Sequence, residues 1–432
     1  MTSHSQGYGS ASIQHLPLSG VRLLDLTTFW AGPIAAQLFA DLGAEVIKIE
    51  ALQKLDPWRA MFAQSTQRES PGPETYETSA TFIAVHRNKL ELTLNLKNEG
   101  GAQAFRDLVG ISDVVLENYS PRVMAQFGLD YPKLREINEA IVVTTLSGFG
   151  HSGPWRDYVS FASVAESLAG ITDLLGYDGD SPLIDGSMPS DPAGGFAAVI
   201  GTLLALEQVR ETGQGQHVDV SQFEGTIPLL ADAFMDWALL GHERTRGTNH
   251  SSWQAPHGVY RAAGHDRWIS ISAGTEEEWH GLQAAIGRPE LGQDPRFSTL
   301  DARLKHIEEL DIELDVWTRD RDPDEATSIL QRHGVPAMPV LSPRLLLEDK
   351  HYATRGHFKT IDRAHATDWP QALAPLLIDN ERLPLRLPAP LLGEHNDYVL
   401  RELLGYDDAR IEALTADGTI GRDPAWRDGE HD

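Results

Sequence analysis

Short apolar runs alternate with helical repeats along the first part of the chain. VRLLDLT (21–27) has the pattern of a buried strand, GPIAAQLFADLG (32–43) has helical apolar spacing, and AEVIKIE (44–50) has the pattern of a second strand. A strand, a helix and a strand in this order predict a right-handed crossover and therefore a parallel pair. The pattern thus predicts an α/β domain.

The alternation of strands and helices resumes after a polar excursion at 51–80, which carries Pro and Gly. Further strands are predicted at LELTLNL (90–96), DVVLENY (113–119), AIVVTTLSGFG (140–150) and HVDVSQ (217–222), and helices at 98–110, 132–138 and 194–210. These elements extend the same α/β domain well past residue 200.

The character of the sequence changes near 236–257, where a polar connector contains HERTRGTNHSSWQAPHG. Beyond it, GVYRAAG and RWISISA predict strands, and helices follow to about 335, so a smaller α/β unit is expected. We therefore predict a mobile leader at 1–17, a large domain at 18–235, a linker at 236–257, a small domain at 258–344, and a linker and return to the large domain at 345–432.

The net charge narrows the range of partners. The 432 residues carry a formal charge of −27, and 41% of them are hydrophobic. Such an acidic surface repels nucleic acid and anionic lipid. No run of about 18 apolar residues is present, so we predict no membrane span. We expect neither nucleic acid nor a membrane as a partner, and an anionic small ligand would need a local cluster of bases.

The chain has no cysteine and 17 histidines. Disulfides, thiolate nucleophiles and zinc–thiolate sites are therefore excluded, and a covalent mechanism would need an oxygen or nitrogen nucleophile. No H-E-x-x-H pattern or tight histidine pair is present, so we expect no metal site. A chain without cysteine fits the reducing cytoplasm, which is the expected location.

Two familiar motifs are incomplete. The loop after the first strand has Gly32 but no G-x-G-x-x-G, although Glu50 stands where a ribose-binding acid would be expected, so a nicotinamide enzyme is disfavoured. GFGHSGP has proline after Gly153, which breaks the G-x-S-x-G pattern of serine hydrolases and favours a glycine-rich turn.

Asp191 opens the stretch DPAGGFAAVIGTLLALEQVR and allows two interpretations. Aspartate followed by proline is a favoured helix start, so Asp191 could be an N-cap. A carboxylate at a helix N-terminus is also stabilised in its charged form and could act as a nucleophile. The small residues Ala193, Gly194 and Gly195 would leave space for an acyl group, and free N–H groups could hold an oxyanion.

Several blocks in order resemble the class III coenzyme A-transferases, which include the formyl-CoA and carnitine CoA-transferases. The blocks are VRLLDLTTFWAGPIAAQLFADLGAEVIKIE, HRNKLELTLNLK, DVVLENYSPRVMAQFGLDYPKL, LSGFGHSGPW, SDPAGGFAAVIGTLLALEQVRETGQGQHVDVSQFEG and APLLGEHNDYVLRELLGYDDARI. The resemblance covers about 18–415.

The resemblance implies a large Rossmann-like domain built from both chain ends, a small domain, and a homodimer interlocked like linked rings. It implies that the aspartate of DPAGG, Asp191 here, attacks an acyl-CoA thioester to give a mixed anhydride and then an aspartyl-CoA thioester. An acceptor acid reverses the sequence. The expected ligands are an acyl-CoA and a small carboxylic acid, with coenzyme A a substrate and no permanently bound cofactor.

The resemblance also suggests which residues hold coenzyme A. Lys89, Asn118 and Tyr119 match its binding positions, and Trp30 and Ala31 would flank the thioester. Arg59 and Arg87 are further candidates for the phosphates.

Departures from the family pattern bear on both CoA and the acid. The basic residue found in relatives after IKIE is Ala51 here, so Lys54 is the candidate replacement, and Gln126 stands in place of another base. Trp30 and the segment SSWQAP differ from the formyl-CoA enzymes. We therefore expect a bulkier acid than formate or oxalate, either a dicarboxylate or an aromatic acid.

Two alternatives remain. An α-methylacyl-CoA racemase shares the fold and the aspartate, but Phe161 and Arg261 stand where that enzyme has its histidine and glutamate. A non-catalytic subunit of a hetero-oligomer is the other alternative, against which the retained Asp191 argues.

Overall fold

The computed structural model describes residues 16–60, 75–177, 179–246 and 249–425, which form two compact units. The first unit comprises the described parts of Met1–Ile171, Ile184–Leu240 and Tyr352–Asp432, and the second those of Thr172–Leu183 and Gly241–His351. Of the predicted leader at 1–17, all but the last two residues lie outside the described part of the chain.

The strands of the described residues are β1 (Arg22–Asp25), β2 (Glu45–Glu50), β3 (Leu90–Thr93), β4 (Val114–Glu117), β5 (Val142–Ser147), β6 (His217–Ser221), β7 (His257–Arg261), β8 (Trp268–Ser272), β9 (Ala337–Pro339), β10 (Phe358–Arg363), β11 (Ala366–Ala372), β12 (Leu377–Ile378) and β13 (Glu381–Arg382).

The α-helices are α1 (Ala31–Asp41), α2 (Pro57–Ala60), α3 (Ala80–Val85), α4 (Glu99–Val109), α5 (Val123–Gln126), α6 (Tyr131–Ile137), α7 (Ala162–Ala169), α8 (Ile171–Leu174), α9 (Ser190–Thr212), α10 (Gln222–Thr226), α11 (Ala231–Leu240), α12 (Glu276–Ile286), α13 (Leu300–Lys305), α14 (Ile307–Thr318), α15 (Pro323–Arg332), α16 (Pro343–Glu348), α17 (Lys350–Thr354) and α18 (Asp408–Ala416). Short 3₁₀ turns and one π-helix (Tyr398–Leu403) complete the described structure.

Strands β1 to β6 form one parallel sheet in the order β3-β2-β1-β4-β5-β6. In this doubly wound order the direction of winding reverses between β1 and β4, and a crevice opens at the carboxyl ends of those two strands. The predicted mixed α/β fold with a parallel central sheet is confirmed.

Both faces of the sheet are buried along β1 to β5, whereas β6 is partly exposed. Leu23 and Leu24 are consecutive in β1, and because successive side chains point to opposite faces, they enter two different apolar clusters. The cluster around Leu24 also contains Val399 and Leu414 from near the end of the chain. Burial on both faces explains why these strands appear as continuous apolar runs rather than alternating ones.

Helix α9 is the one helix among the described residues that is long and apolar enough to cross a membrane by length and composition. It begins at Ser190, four residues before the predicted start, and ends before Gly213, which has a left-handed backbone. Ala198 and Val199 pack into the sheet, whereas Ile200 and Leu204 are exposed. The helix therefore covers the sheet on one side and presents an apolar stripe on the other.

The second unit has an antiparallel sheet in the order β7-β8-β9. Its helices pack around a separate core that includes Trp279, Leu282, Phe297 and Leu310.

We predict that Gly195→Ala destabilises the protein although alanine favours helix. A Cβ at this position would lie 2.7 Å from the carbonyl oxygen of Ala31 and from Cγ2 of Ile34. Alanine gains about 1 kcal/mol in helix propensity, but overpacking costs about 1–3 kcal/mol, so the melting temperature falls. Gly186→Ala is the control, because nothing lies within 4 Å of its Cβ position. A Gly195→Ala protein that melts no lower than Gly186→Ala would contradict this.

Candidate active site

A cavity of about 540 Å³ lies in the first unit at the carboxyl ends of the parallel strands. Its walls come from the loops after β1, β4 and β5, from Lys54 and Trp58, from Arg156 and residues 158–163, and from the starts of α9 and α10. Among the described residues that line it, Asp191 is the only carboxylate, and Lys54 and Arg156 are the only cations. Asp191 is therefore the candidate for any chemistry that needs a carboxylate from the described wall of this cavity.

A reciprocal pair of hydrogen bonds joins the loops that follow β1 and β4. The backbone N–H of Thr28 donates to Oδ1 of Asn118, and Nδ2 of Asn118 donates to the carbonyl oxygen of Thr28, both at 2.8 Å. These two loops flank the point where the winding of the sheet reverses. Asn118 thus fixes the two loops to each other at the cavity that Asp191 also lines.

Asp191 is the second residue of α9, and its Oδ1 accepts a hydrogen bond from Nε2 of Gln222, the first residue of α10. Burial raises the pKa of the Asp191 carboxyl to about 6; the Gln222 hydrogen bond lowers it, and the nearby Glu166 raises it further. Asp191 therefore remains mostly ionised at neutral pH, although its charge is only partly solvated.

The N-cap interpretation of Asp191 is wrong. The cap position is Pro189, which makes no side-chain cap bond, and Asp191 lies within the first turn. The expectation of free backbone donors beside it also needs correction, because the N–H of Asp191 and the N–H of Ala193 donate to the carbonyl oxygens of Met188 and Pro189, both at 3.1 Å.

Glu166 supports the start of α9 from α7. Its Oε1 accepts the Ser190 hydroxyl at 3.2 Å, and it also receives a backbone hydrogen bond from Ser190. Both residues are buried, and burial is the main cause that raises the pKa of Glu166. Since Ser190 directly precedes Asp191, Glu166 anchors the turn that carries the carboxylate.

The glycines beside Asp191 do not leave empty space for an acyl group. A Cβ on Gly194 would lie 3.2 Å from Cγ of Gln222, and a Cβ on Gly195 would meet Ala31 and Ile34. The glycines instead let α9 approach α1 and α10, which brings Asp191 and Gln222 into contact.

Four of the residues predicted to bind coenzyme A line the cavity, and a fifth packs against a residue that lines it. Ala31, Lys54, Asn118 and Tyr119 line the wall. Trp30 does not line the cavity. The centre of its ring lies 5.8 Å from the ring centre of Trp58, which does line it.

A second cavity of about 500 Å³ shares Thr28, Phe29, Lys54 and Tyr119 with the first. Its walls are largely apolar, with Leu26, Ile49, Leu94 and Phe127 among them, and Lys97 adds a cation. The two cavities therefore meet at Lys54 and Tyr119.

The other three predicted bases are buried in ion pairs and do not line either cavity. Arg59 lies 3.0 Å from Oε2 of Glu50 and 2.7 Å from Oε2 of Glu77, and Lys89 donates to Oδ2 of Asp25 at 2.8 Å. Arg87 pairs with Asp41. Their charges support the fold beneath the cavities. Glu50 is paired with Arg59, and it also lines the second cavity together with Asp56.

Four residues at or beside the cavities were not predicted from the sequence: Gln222, Glu166, Arg156 and Lys97. Gln222 could have been found, since it follows a predicted strand of the parallel sheet, where ligand-binding residues collect. The buried pairing of Glu166 depends on two helices that are distant in sequence.

No group of three or more potential metal ligands is present among the described residues.

The model for the CoA-transferase family III matches residues 18–396 of the chain. Succinyl-CoA--D-citramalate CoA-transferase of Chloroflexus aurantiacus is 33% identical over 414 residues, which cover 94% of this chain and 98% of the relative. The α subunit of succinyl-CoA--L-malate CoA-transferase from the same organism is 31% identical over 408 residues, 93% of this chain and 92% of the relative.

A crystal structure of a CAIB/BAIF family protein from Brucella suis superposes with a TM-score of 0.79 at 29% identity. The superposition covers 90% of this chain and all of that chain.

We predict that Asp191→Asn becomes progressively more stable than the wild type as the pH rises from 4 to 7. The native carboxyl has a pKa of about 6 against an ordinary 3.8, so in this interval the native state binds more protons than the unfolded state. The contribution of Asp191 to wild-type stability therefore falls by on the order of 2 kcal/mol with rising pH, a loss that the amide avoids.

Thermal unfolding at several pH values measures the difference in stability between the wild type and Asp191→Asn. In the Glu166→Gln background, the pH at which half of this difference has developed should be lower, because Glu166 raises the pKa of Asp191. A difference that is constant with pH would exclude a raised Asp191 pKa.

Proposed function

Since the chain belongs to the CoA-transferase family III, we propose that it moves coenzyme A from an acyl-CoA to a carboxylic acid with Asp191 as the covalent nucleophile. One observation carries this proposal: Asp191 is the only carboxylate among the described residues that line the cavity, and an amide donor holds one of its oxygens. The relatives named above act on succinyl-CoA by their names, which makes succinyl-CoA the first donor to test.

The first half-reaction releases the donor acid. Oδ2 of Asp191 attacks the thioester carbonyl, the C–S bond breaks, and the products are an aspartyl–acyl anhydride and CoA thiolate. The thiolate then attacks the aspartyl carbonyl of the anhydride, the bond from that carbonyl to the bridging oxygen breaks, and the donor acid leaves as a carboxylate. Asp191 now carries CoA as a thioester, and no net proton has moved.

The second half-reaction runs the same steps in reverse. The acceptor carboxylate attacks the aspartyl thioester and expels CoA thiolate, which leaves an anhydride between Asp191 and the acceptor. The thiolate then attacks the acceptor's carbonyl, giving the new acyl-CoA and free Asp191. Every attacking group is an anion, so the cavity must hold negative charge without a general base.

Gln222 is suited to stabilise that charge. Its Nε2 donates to Oδ1 of Asp191, the oxygen that becomes the carbonyl of both aspartyl intermediates when Oδ2 forms the new bond. When a nucleophile attacks that carbonyl, Oδ1 becomes the oxyanion, and a donor already in place stabilises it at no cost in reorganisation. The backbone N–H groups of Asp191 and Ala193 are engaged within the turn, and the Gln222 amide is a donor already bound to Oδ1, so we assign this role to Gln222.

The two cavities that meet at Lys54 and Tyr119 fit the two ends of an acyl-CoA. The apolar second cavity suits the adenine, with Lys97 and Lys54 near the phosphates, and the first cavity places the thioester beside Asp191. In this arrangement Lys97 and Lys54 supply the positive charge that relatives have at the position of Ala51.

A racemase receives less support from this site. Proton transfer on both faces of an α-carbon needs a second acid or base beside the aspartate. The described lining residues include no histidine, and Phe161 packs edge-on against Phe29 with the ring centres 5.4 Å apart. Among the described lining residues, a proton shuttle therefore finds neither a histidine nor a second carboxylate to act as its second group.

We further propose that two copies of the chain form the interlocked dimer implied by the family. Helix α11 buries none of its residues, although it carries Phe234, Trp237 and Leu240. Ile200 and Leu204 of α9 are exposed as well. Apolar surface of this extent marks a protein interface.

We predict that Asp191→Ala and Asp191→Asn each reduce CoA exchange from succinyl-CoA by at least about a thousandfold, equal to about 4 kcal/mol in the barrier. Neither replacement can form the anhydride, and both keep the fold. Exchange is measured by mass spectrometry of the acyl-CoA products. Glu207→Gln is the control, since Glu207 lies on the same helix and pairs with the surface Arg210.

Hydroxylamine supplies an independent readout. With acyl-CoA present, it should convert Asp191 to a hydroxamate and inactivate the wild type, whereas a non-catalytic subunit would remain unmodified. Near-normal exchange by either Asp191 variant would refute the nucleophile.

We predict that the protein sediments at twice the mass of one chain at micromolar concentration. Leu239→Glu together with Leu240→Glu should shift it toward monomer or make it insoluble, because charge would enter the buried interface. Ile137→Glu, which changes a half-exposed residue on α6, is the control. A monomeric wild type would contradict the dimer.

A further inference from the structure

Arg156 is a cation in the Asp191 cavity that the proposed steps do not use. Its side chain is about half exposed, and the nearest carboxylate is that of Asp157, with Nε 3.8 Å from Oδ2. No hydrogen bond reaches its guanidinium from the described part of the chain. Five donors of a permanently charged group are therefore open to a ligand.

The buried guanidiniums of Arg59 and Arg87 differ from the guanidinium of Arg156. Arg59 and Arg87 are each engaged by carboxylates and do not line the cavity. Arg156 therefore differs from them in having both a position on the cavity wall and donors to spare.

Lys54, the other cation of the cavity, has a different location. It lines both cavities, whereas Arg156 lines only the one that contains Asp191. A ligand whose phosphates lie near Lys54 and whose thioester lies at Asp191 would leave Arg156 to the acyl group.

The wall around Arg156 has the character of an acid-binding site. Tyr158, Ser160 and Ser163 bring hydroxyl groups into the same cavity, and the Phe161–Phe29 pair supplies an apolar surface. An acyl chain could lie on the aromatic pair while a polar end reaches the guanidinium and the hydroxyls.

We propose that Arg156 binds the second carboxylate of a dicarboxylic acid whose first carboxyl exchanges CoA at Asp191. The inference rests on the proposed function. A dicarboxylate that enters beside ionised Asp191 brings a charge that this site would otherwise repel, and a guanidinium offsets that charge with two parallel hydrogen bonds. A monocarboxylate of the same length leaves Arg156 in water and gains nothing from it.

The test compares succinate with butyrate as acceptors, since they match in length and differ in one carboxylate. With acetyl-CoA as the donor for both acids, Arg156→Gln should lower kcat/KM for succinate by about 10- to 100-fold and change that for butyrate by less than about threefold. Arg156→Lys should fall between, because it keeps the charge but loses the planar fork. Arg135→Gln is the control; Arg135 bonds to Gln214 outside the cavity.

The outcomes separate this inference from the proposed function. Equal losses for both acids, or a wild type that prefers butyrate or benzoate to succinate, would overturn the role of Arg156 while Asp191-dependent exchange stands. A wild type that exchanges CoA with no acid would overturn the proposed function, and this inference with it.

Discussion

The close approach of α9 to α1 is the constraint on which the site depends. A side chain at Gly195 would collide with the Ala31 carbonyl, and one at Gly194 would crowd Gln222. Only without those side chains can the first turn of α9 lie against the loop after β1 and the start of α10. Three elements distant in sequence then supply Ala31, Asp191 and Gln222 to one wall of the cavity.

A second constraint is the use of positive charge in a chain with a formal charge of −27. Arg59, Arg87 and Lys89 are consumed by internal carboxylates, where an unpaired buried charge would be costly. An anionic ligand therefore meets few bases, and the position of each one matters. Lys54 at the meeting point of the cavities and Arg156 on the wall of the first can serve different parts of one ligand.

The parallel sheet could be predicted from the sequence because apolar runs are local signals, and the DPAGG block drew attention to Asp191, which the structure places on the cavity wall. The sequence could not show that Arg59, Arg87 and Lys89 form internal ion pairs. A basic residue in a motif has the same sequence signal whether its partner is a ligand or a buried carboxylate. The start of α9 was misplaced because the glycines after Asp191 have low helix propensity, which packing against α1 overrides. Glu166 escaped notice because its contact with Ser190 exists only after α7 and α9 pack together.

The raised pKa of Asp191 and the hydrogen bond from Gln222 belong to one solution to a conflict. A carboxylate in water is well solvated and a weak nucleophile, whereas a carboxylate in a dry cavity is reactive but tends to take up a proton. At a pKa of about 6, Asp191 loses part of its hydration yet stays ionised at neutral pH. Gln222 limits the rise in that pKa by binding Oδ1, and the same bond leaves Oδ2 as the oxygen that attacks in the proposed mechanism. A donor with a full positive charge in its place would hold the pKa near its ordinary value and make the carboxylate a poorer nucleophile. In the proposed mechanism Asp191 is an anion in one step and an acyl carrier in the next, and a neutral amide suits both states.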